Sequence, residues 1–182
     1  MRVKPNPRQV AAVVASIAVS FSVLYLGNLL YGRFSVGEPL DKVFKQSPAV
    51  LSYTVAKRDP VIVVRVKLAE VQDLHKEVAG LQERAETVSR GRKVSVITED
   101  ARDEILSEAY YSMHFHIQEA LATGGFSRMA GEIERLAREA DLERYKVFVD
   151  DDSVYVQLHL NGHYLYEVLP RPVESRDPHV GV

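Results

Sequence analysis

The sequence predicts an α+β domain carried behind a single membrane-spanning helix. Three patterns predict it: a long uncharged apolar run near the N-terminus, β-branched runs at both ends of the remainder, and two stretches of helical periodicity between them.

Residues 10–31 contain 22 residues without a charge or a proline. At a rise of about 1.5 Å per residue they reach roughly 33 Å, against a hydrocarbon core of about 30 Å. The run is longer than the apolar core of a cleaved signal peptide, and it leaves through Leu29-Leu30-Tyr31-Gly32-Arg33 without a small-x-small site. It therefore reads as a retained signal anchor, a single-pass transmembrane helix. Arg2, Lys4 and Arg8 form a basic flank over residues 1–9, while Arg33 alone stands close on the far side. The positive-inside rule then predicts a cytoplasmic N-terminus and an extracytoplasmic C-terminal domain at the cell membrane. Within the span, Ala12, Ser16 and Ser20 recur every fourth residue, a ridge of small side chains at which two such helices pack closely.

The anchor also sorts the charge. Of 23 Lys and Arg residues, four (Arg2, Lys4, Arg8, Arg33) flank it, and residues 1–33 hold no acid; 19 basic side chains remain against 25 acidic ones. A domain with that balance lacks the basic stripe that phosphate backbones need, so nucleic acid is not an expected partner. There is no cysteine, which removes disulfides, thiolate zinc sites and cysteine nucleophiles.

Residues 32–48, with glycines at 32 and 37 and prolines at 39 and 48, read as a juxtamembrane linker in which Leu40, Val43 and Phe44 form one apolar turn. The domain itself is expected over 49–170. Strands at 49–56 and 61–68 flank the turn Lys57-Arg58-Asp59-Pro60. In the second, Ile62, Val64, Val66 and Leu68 share a buried face, opposite Arg65 and Lys67. Val71, Leu74, Val78, Leu81, Ala85 and Val88 then make one helical stripe, too short for a free coiled coil and suited to packing on the sheet. A strand at 93–98 follows, so the intervening helix crosses over between parallel neighbours.

The next helix has Thr98 or Asp100 as its expected cap and an acidic first turn, and Gly124-Gly125 ends it. A further helix carries Phe126, Met129, Ile133, Leu136 and Ala140. Three strands close the domain at 145–149, 154–160 and 163–169, the last two joined by Asn161-Gly162, a strong hairpin signal. Asp150, Asp151 and Asp152 read as a solvated turn, because the spacing of a calcium loop is missing. Residues 171–182 read as a flexible tail. The order β-β-α-β-α-α-β-β-β fits a two-layer architecture, one mixed sheet with helices on one face.

Catalytic signatures of the nucleophile-elbow, phosphate-loop, dinucleotide and zinc-helix types are missing, and no cofactor is implied. Two constellations stand out. On the 99–123 helix, Glu108, Ser112, His116 and Glu119 share a polar face bordered by Tyr111 and Phe115. Glu108, His116 and Glu119 are weak metal candidates on a face better read as solvated or covered by a partner. In the C-terminal hairpin, pairing Leu160 with His163 puts Val154, Val156, Leu158, Leu160, Leu165 and Leu169 on the core side. Tyr155, Gln157, His159, Tyr164 and Tyr166 fall on the other, a candidate protein-contact surface.

The function these features predict is a non-enzymatic, membrane-anchored interaction or assembly module, with a protein partner or self-association. The alternatives are a membrane-anchored sensor with a small ligand and, behind it, a metal-dependent enzyme.

Overall fold

The computed structural model describes residues 22, 38–58, 60–89 and 91–172. Apart from Ser22, the expected span at 10–31 with its Ala12, Ser16, Ser20 ridge lies outside the described residues, as do the basic flank and the tail from residue 173. Among the described residues, no helix is long and apolar enough to cross a membrane.

The elements are α1 (Glu38–Gln46), β1 (Val50–Arg58), β2 (Val61–Leu68), α2 (Leu74–Val88), β3 (Val94–Glu99), α3 (Glu104–Thr123), α4 (Phe126–Glu139), β4 (Arg144–Val149), β5 (Ser153–Leu160) and β6 (His163–Pro170). The chain is α+β, and from β1 onward the order is the expected one. The first helix is an addition. Leu40 and Phe44 of α1 are fully buried, and Tyr53 of β1 donates from its hydroxyl to Asp41 at 2.8 Å. The segment read as a linker to residue 48 thus contributes a helix to the folded body.

The single mixed sheet is corrected to two three-stranded sheets, β1-β2-β3 and β4-β5-β6. In the first, β1 and β2 are antiparallel and β2 and β3 parallel, as the crossover through α2 requires. The second is an antiparallel meander in which Leu160 faces His163. Its turn residues Asn161 and Gly162 both take positive φ, 51° and 76°, the backbone that Asn-Gly adopts most readily.

The sheets separate because β3 and β6 do not pair; just past the end of β3, Ala101 makes an isolated backbone bridge to Tyr164. Beyond it, side chains take the place of strand pairing. The Tyr166 N–H donates to the Asp100 carboxylate at 2.8 Å, and the Thr98 hydroxyl lies 3.5 Å from the Tyr166 carbonyl. Asp100 is also gripped by Arg102, whose guanidinium reaches on to Glu167. Asp100 is therefore a strut between sheets and not the expected helix cap; Asp103 caps α3, accepting from the Leu106 N–H at 2.8 Å.

The helices do not lie on one face either. Ile62, Val64, Val66 and Leu68 pack with Val94, Val96, the α2 stripe, and Leu40 and Phe44 into a first core. Val154, Val156, Leu158 and Leu165 pack against Leu106, Met113, Ile117 and Ile133 of α3 and α4 in a second. Each of these fully buried aliphatic side chains contributes roughly 1.5–3 kcal/mol. The two cores lie on opposite faces of the β4-β5-β6 sheet, because Tyr155, Tyr164 and Tyr166 belong to the first and their strand neighbours to the second. The C-terminal sheet is the middle layer of the molecule.

Replacing Asp100 by Ala removes the acceptor of the Tyr166 N–H and the anchor of Arg102. The expected cost is about 1–3 kcal/mol, read as a lowered urea midpoint. An unchanged midpoint would mean that Asp100 is not what joins the two sheets.

Candidate functional site

The face expected to be a contact surface is inside the molecule. Tyr155, Gln157, His159, Tyr164 and Tyr166 are 1–8% exposed. What covers them is the chain's own turn from β2 into α2. The Tyr164 hydroxyl donates to the Leu68 carbonyl at 2.9 Å. The Tyr166 hydroxyl accepts the Val71 N–H at 2.7 Å and faces the Ala69 carbonyl at 3.4 Å. The Gln157 amide accepts the Leu74 N–H at 2.9 Å and donates to the Val71 carbonyl at 2.7 Å. Leu74 is the first residue of α2, and a helix leaves its first N–H groups without intrahelical partners. Gln157 satisfies one of them, and Asp73 satisfies another, that of Lys76. The physical reason for the correction is that tyrosine, glutamine and histidine suit a wet face and a hydrogen-bonded buried one equally well.

The Gln157 amide also meets the His159 ring. Because the Leu74 N–H fixes which end of the Gln157 amide is the oxygen, the other end is a donor, and it lies 2.7 Å from His159 Nε2. Nδ1 lies 2.9 Å from the Arg144 guanidinium and 3.2 Å from the Glu70 carboxylate, so both ring nitrogens face a donor and the neutral ring is favoured. Burial, reinforced by the Arg144 guanidinium, lowers the His159 pKa, and Glu70 opposes this only in part. Arg144 also pairs with Glu70 at 2.6 Å. Its Nε is the buried side-chain polar atom that finds no acceptor among the described residues. At the next turn of the same edge, Lys146 holds the Asp73 carboxylate below its usual range. Burial, followed by Asp150, pushes the Tyr155 hydroxyl up to about 12. Every polar group of the hairpin face is thus committed to holding structure.

Asp150 has a similar fate. Its carboxylate accepts the N–H groups of Asp152 and Ser153 at 2.9 and 2.7 Å and lies 3.4 Å from His75 Nε2. The acidic triplet is a turn organised by one of its members.

The polar face of α3 is where side chains remain available. Leu106, Ala109, Met113, Ile117 and Ala120 bury one side of the helix, and Gly124 ends it with φ 74°. On the other side Tyr111 and Phe115 are 60% and 63% exposed, and Ile105 is 53% exposed. The two rings meet edge to face with centroids 5.7 Å apart. Of the weak metal candidates, Glu119 is taken by Arg128 on α4. Among the described residues, no three His, Asp or Glu side chains come together to hold a metal ion, so Glu108, His116 and Glu119 remain neighbours on a helix face. Between α3 and α4 runs an open groove of about 490 Å³ with Ala109, Leu136 and Ala140 in its floor and Glu104, Glu108 and Glu139 at its edges. The pattern of α3 marked Tyr111 and Phe115 as bordering the polar face; Ile105 was the member it did not single out.

The depressed pKa of His159 has a definite sign in stability. Below its ordinary value of about 6.5 the unfolded chain takes up a proton that the folded state refuses, so stability falls as the pH drops. The wild-type melting temperature is expected to fall more between pH 7.5 and 5.5 than that of His159→Gln. An equal or steeper fall in the variant would mean that His159 is protonated in the fold.

No protein-family model, curated protein or solved structure matches this chain.

Proposed function

We propose that this chain is a single-pass, membrane-anchored interaction or assembly module without an activity of its own, and that the outward face of α3 is its contact surface. The observation that carries this reading is the exposure of Ile105, Tyr111 and Phe115 on one 20-residue helix whose opposite side is buried. Aromatic side chains left in water cost free energy that a partner recovers, and Tyr and Phe are enriched where proteins meet.

Two further features support it. The polar residues that would serve catalysis or ligand binding are used internally, and the gap beside Asp73, His75 and Phe148 measures about 10 Å³, the space of a single water. An open groove of about 590 Å³ runs between Gln82 and Glu86 of α2, β3, and Ser153, Glu167 and Val168 of the C-terminal sheet, so a small-ligand role is the second reading. In addition, α1 is packed into the first core and begins at Glu38. With residues 10–31 in the bilayer, six residues separate anchor from domain, a reach of about 20 Å. The domain would work close to the lipid surface on the extracytoplasmic side, with the N-terminus in the cytoplasm, and would meet partners that are themselves membrane-bound or juxtamembrane.

The test places a photo-crosslinking amino acid at position 111 or 115 of the full chain in cells. Both positions are expected to give a discrete adduct of higher mass, and exposed Thr87 on α2 is expected to give none. Adducts no stronger at 111 and 115 than at 87 would contradict the proposal.

A further inference from the structure

The charge on α3 narrows the partner. Its 20 residues include Glu104, Glu108 and Glu119 and not one Lys or Arg. Glu119 is neutralised by Arg128, whereas Glu104 and Glu108 have no ion pair among the described residues. Both stand beside the exposed apolar side chains, at the edge of the groove that Ala109 and Ala140 keep shallow. We propose that this face docks an amphipathic helix of another protein, one that lays an apolar stripe over Tyr111 and Phe115, meets Ile105 at the groove on their flank, and sets Lys or Arg against Glu104 and Glu108. This rests on the reading of α3 as the contact surface.

Geometry favours a helix as occupant. Tyr111 and Phe115 are four residues apart and form a ridge, and the α3–α4 groove runs alongside it, which is the relief into which a third helix packs. From Glu104 to Phe115 the ridge is about 17 Å long, so three turns of partner cover it. Charge excludes the other occupants. An anionic bilayer or a nucleic acid would meet unpaired carboxylates. A second copy using the same face about a two-fold axis would offer Glu104 and Glu108 no Lys or Arg, because α3 carries none. The arginines of α4 do not compensate, since Arg128, Arg135 and Arg138 are each paired with a glutamate.

The experiment uses the full chain in nanodiscs of zwitterionic lipid with a photo-crosslinker at exposed Ser112. The probes are two synthetic helical peptides sharing one leucine stripe, flanked by lysines in one and by glutamates in the other. The lysine peptide is expected to crosslink about tenfold more than the glutamate peptide. Glu104→Gln with Glu108→Gln should abolish that preference, and Glu104→Lys with Glu108→Lys should reverse it, with melting temperatures near that of the wild type. Equal capture of both peptides by the wild type, with position 111 and 115 adducts still formed in cells, would overturn the basic-partner assignment while leaving α3 a contact surface. Failure of both peptides together with loss of the cellular adducts would overturn the contact surface itself.

Discussion

The constraint on which this structure depends is the backbone between β2 and α2. From Leu68 to Leu74 the chain leaves a sheet and enters a helix, and Leu68, Val71 and Leu74 are buried, so peptide groups there without partners are costly. Strand and helix ladders do not reach most of these groups. Instead three side chains from β5 and β6, more than 80 positions along the chain, supply the missing partners: Gln157, Tyr164 and Tyr166. Each is itself buried, so neither side of this contact is satisfied without the other. The result couples the two halves of the domain more specifically than apolar packing does, because a displaced hydrophobe finds another neighbour, whereas a displaced buried amide leaves a donor and an acceptor unpaired. The Asp100 strut works on the same principle at the seam between the sheets.

That internal use of polar chemistry bears on function. The tyrosines, the glutamine and the histidine that look like a site are the mortar of the fold, and burial keeps them from solutes. On α3, Tyr111, Phe115 and Ile105 remain outward without cover, with Glu104 and Glu108 beside them. A helix with one buried side and one apolar exposed side is costly in isolation and economical in a complex, which is why the reading moves from chemistry toward contact.

Much of this fold is written in local pattern. The period of two in Ile62, Val64, Val66 and Leu68, the three-four spacing of Leu74, Val78, Leu81 and Ala85, and the Asn161-Gly162 turn each dictate their own geometry within a few residues. Three features depend on distance instead. Whether the second face of β5 is wet or buried depends on what packs there, and Tyr155, Gln157 and His159 are compatible with both. Whether β3 joins β6 depends on Asp100, whose place after a strand and before a helix makes it look like a cap. The helix at Glu38–Gln46 is so short that Leu40, Val43 and Phe44 give a single turn of periodicity, and its existence depends on a core built by later residues. On α3, the residues that matter were visible as a mixture of aromatics and acids, and only packing separates a covered mixture from an open one.

The most direct test of the central claim is amide hydrogen exchange in the full chain, read at Val71 and Leu74. These two N–H groups belong to a connection between elements, where exchange is ordinarily fast, yet their acceptors are the buried Tyr166 hydroxyl and Gln157 amide oxygen. Protection close to that of the β5 amides, opening only with the domain as a whole, is the predicted result. Exchange at the rate of exposed loop residues such as Gln72 would contradict the account, since the Tyr166 and Gln157 contacts would then not hold this connection.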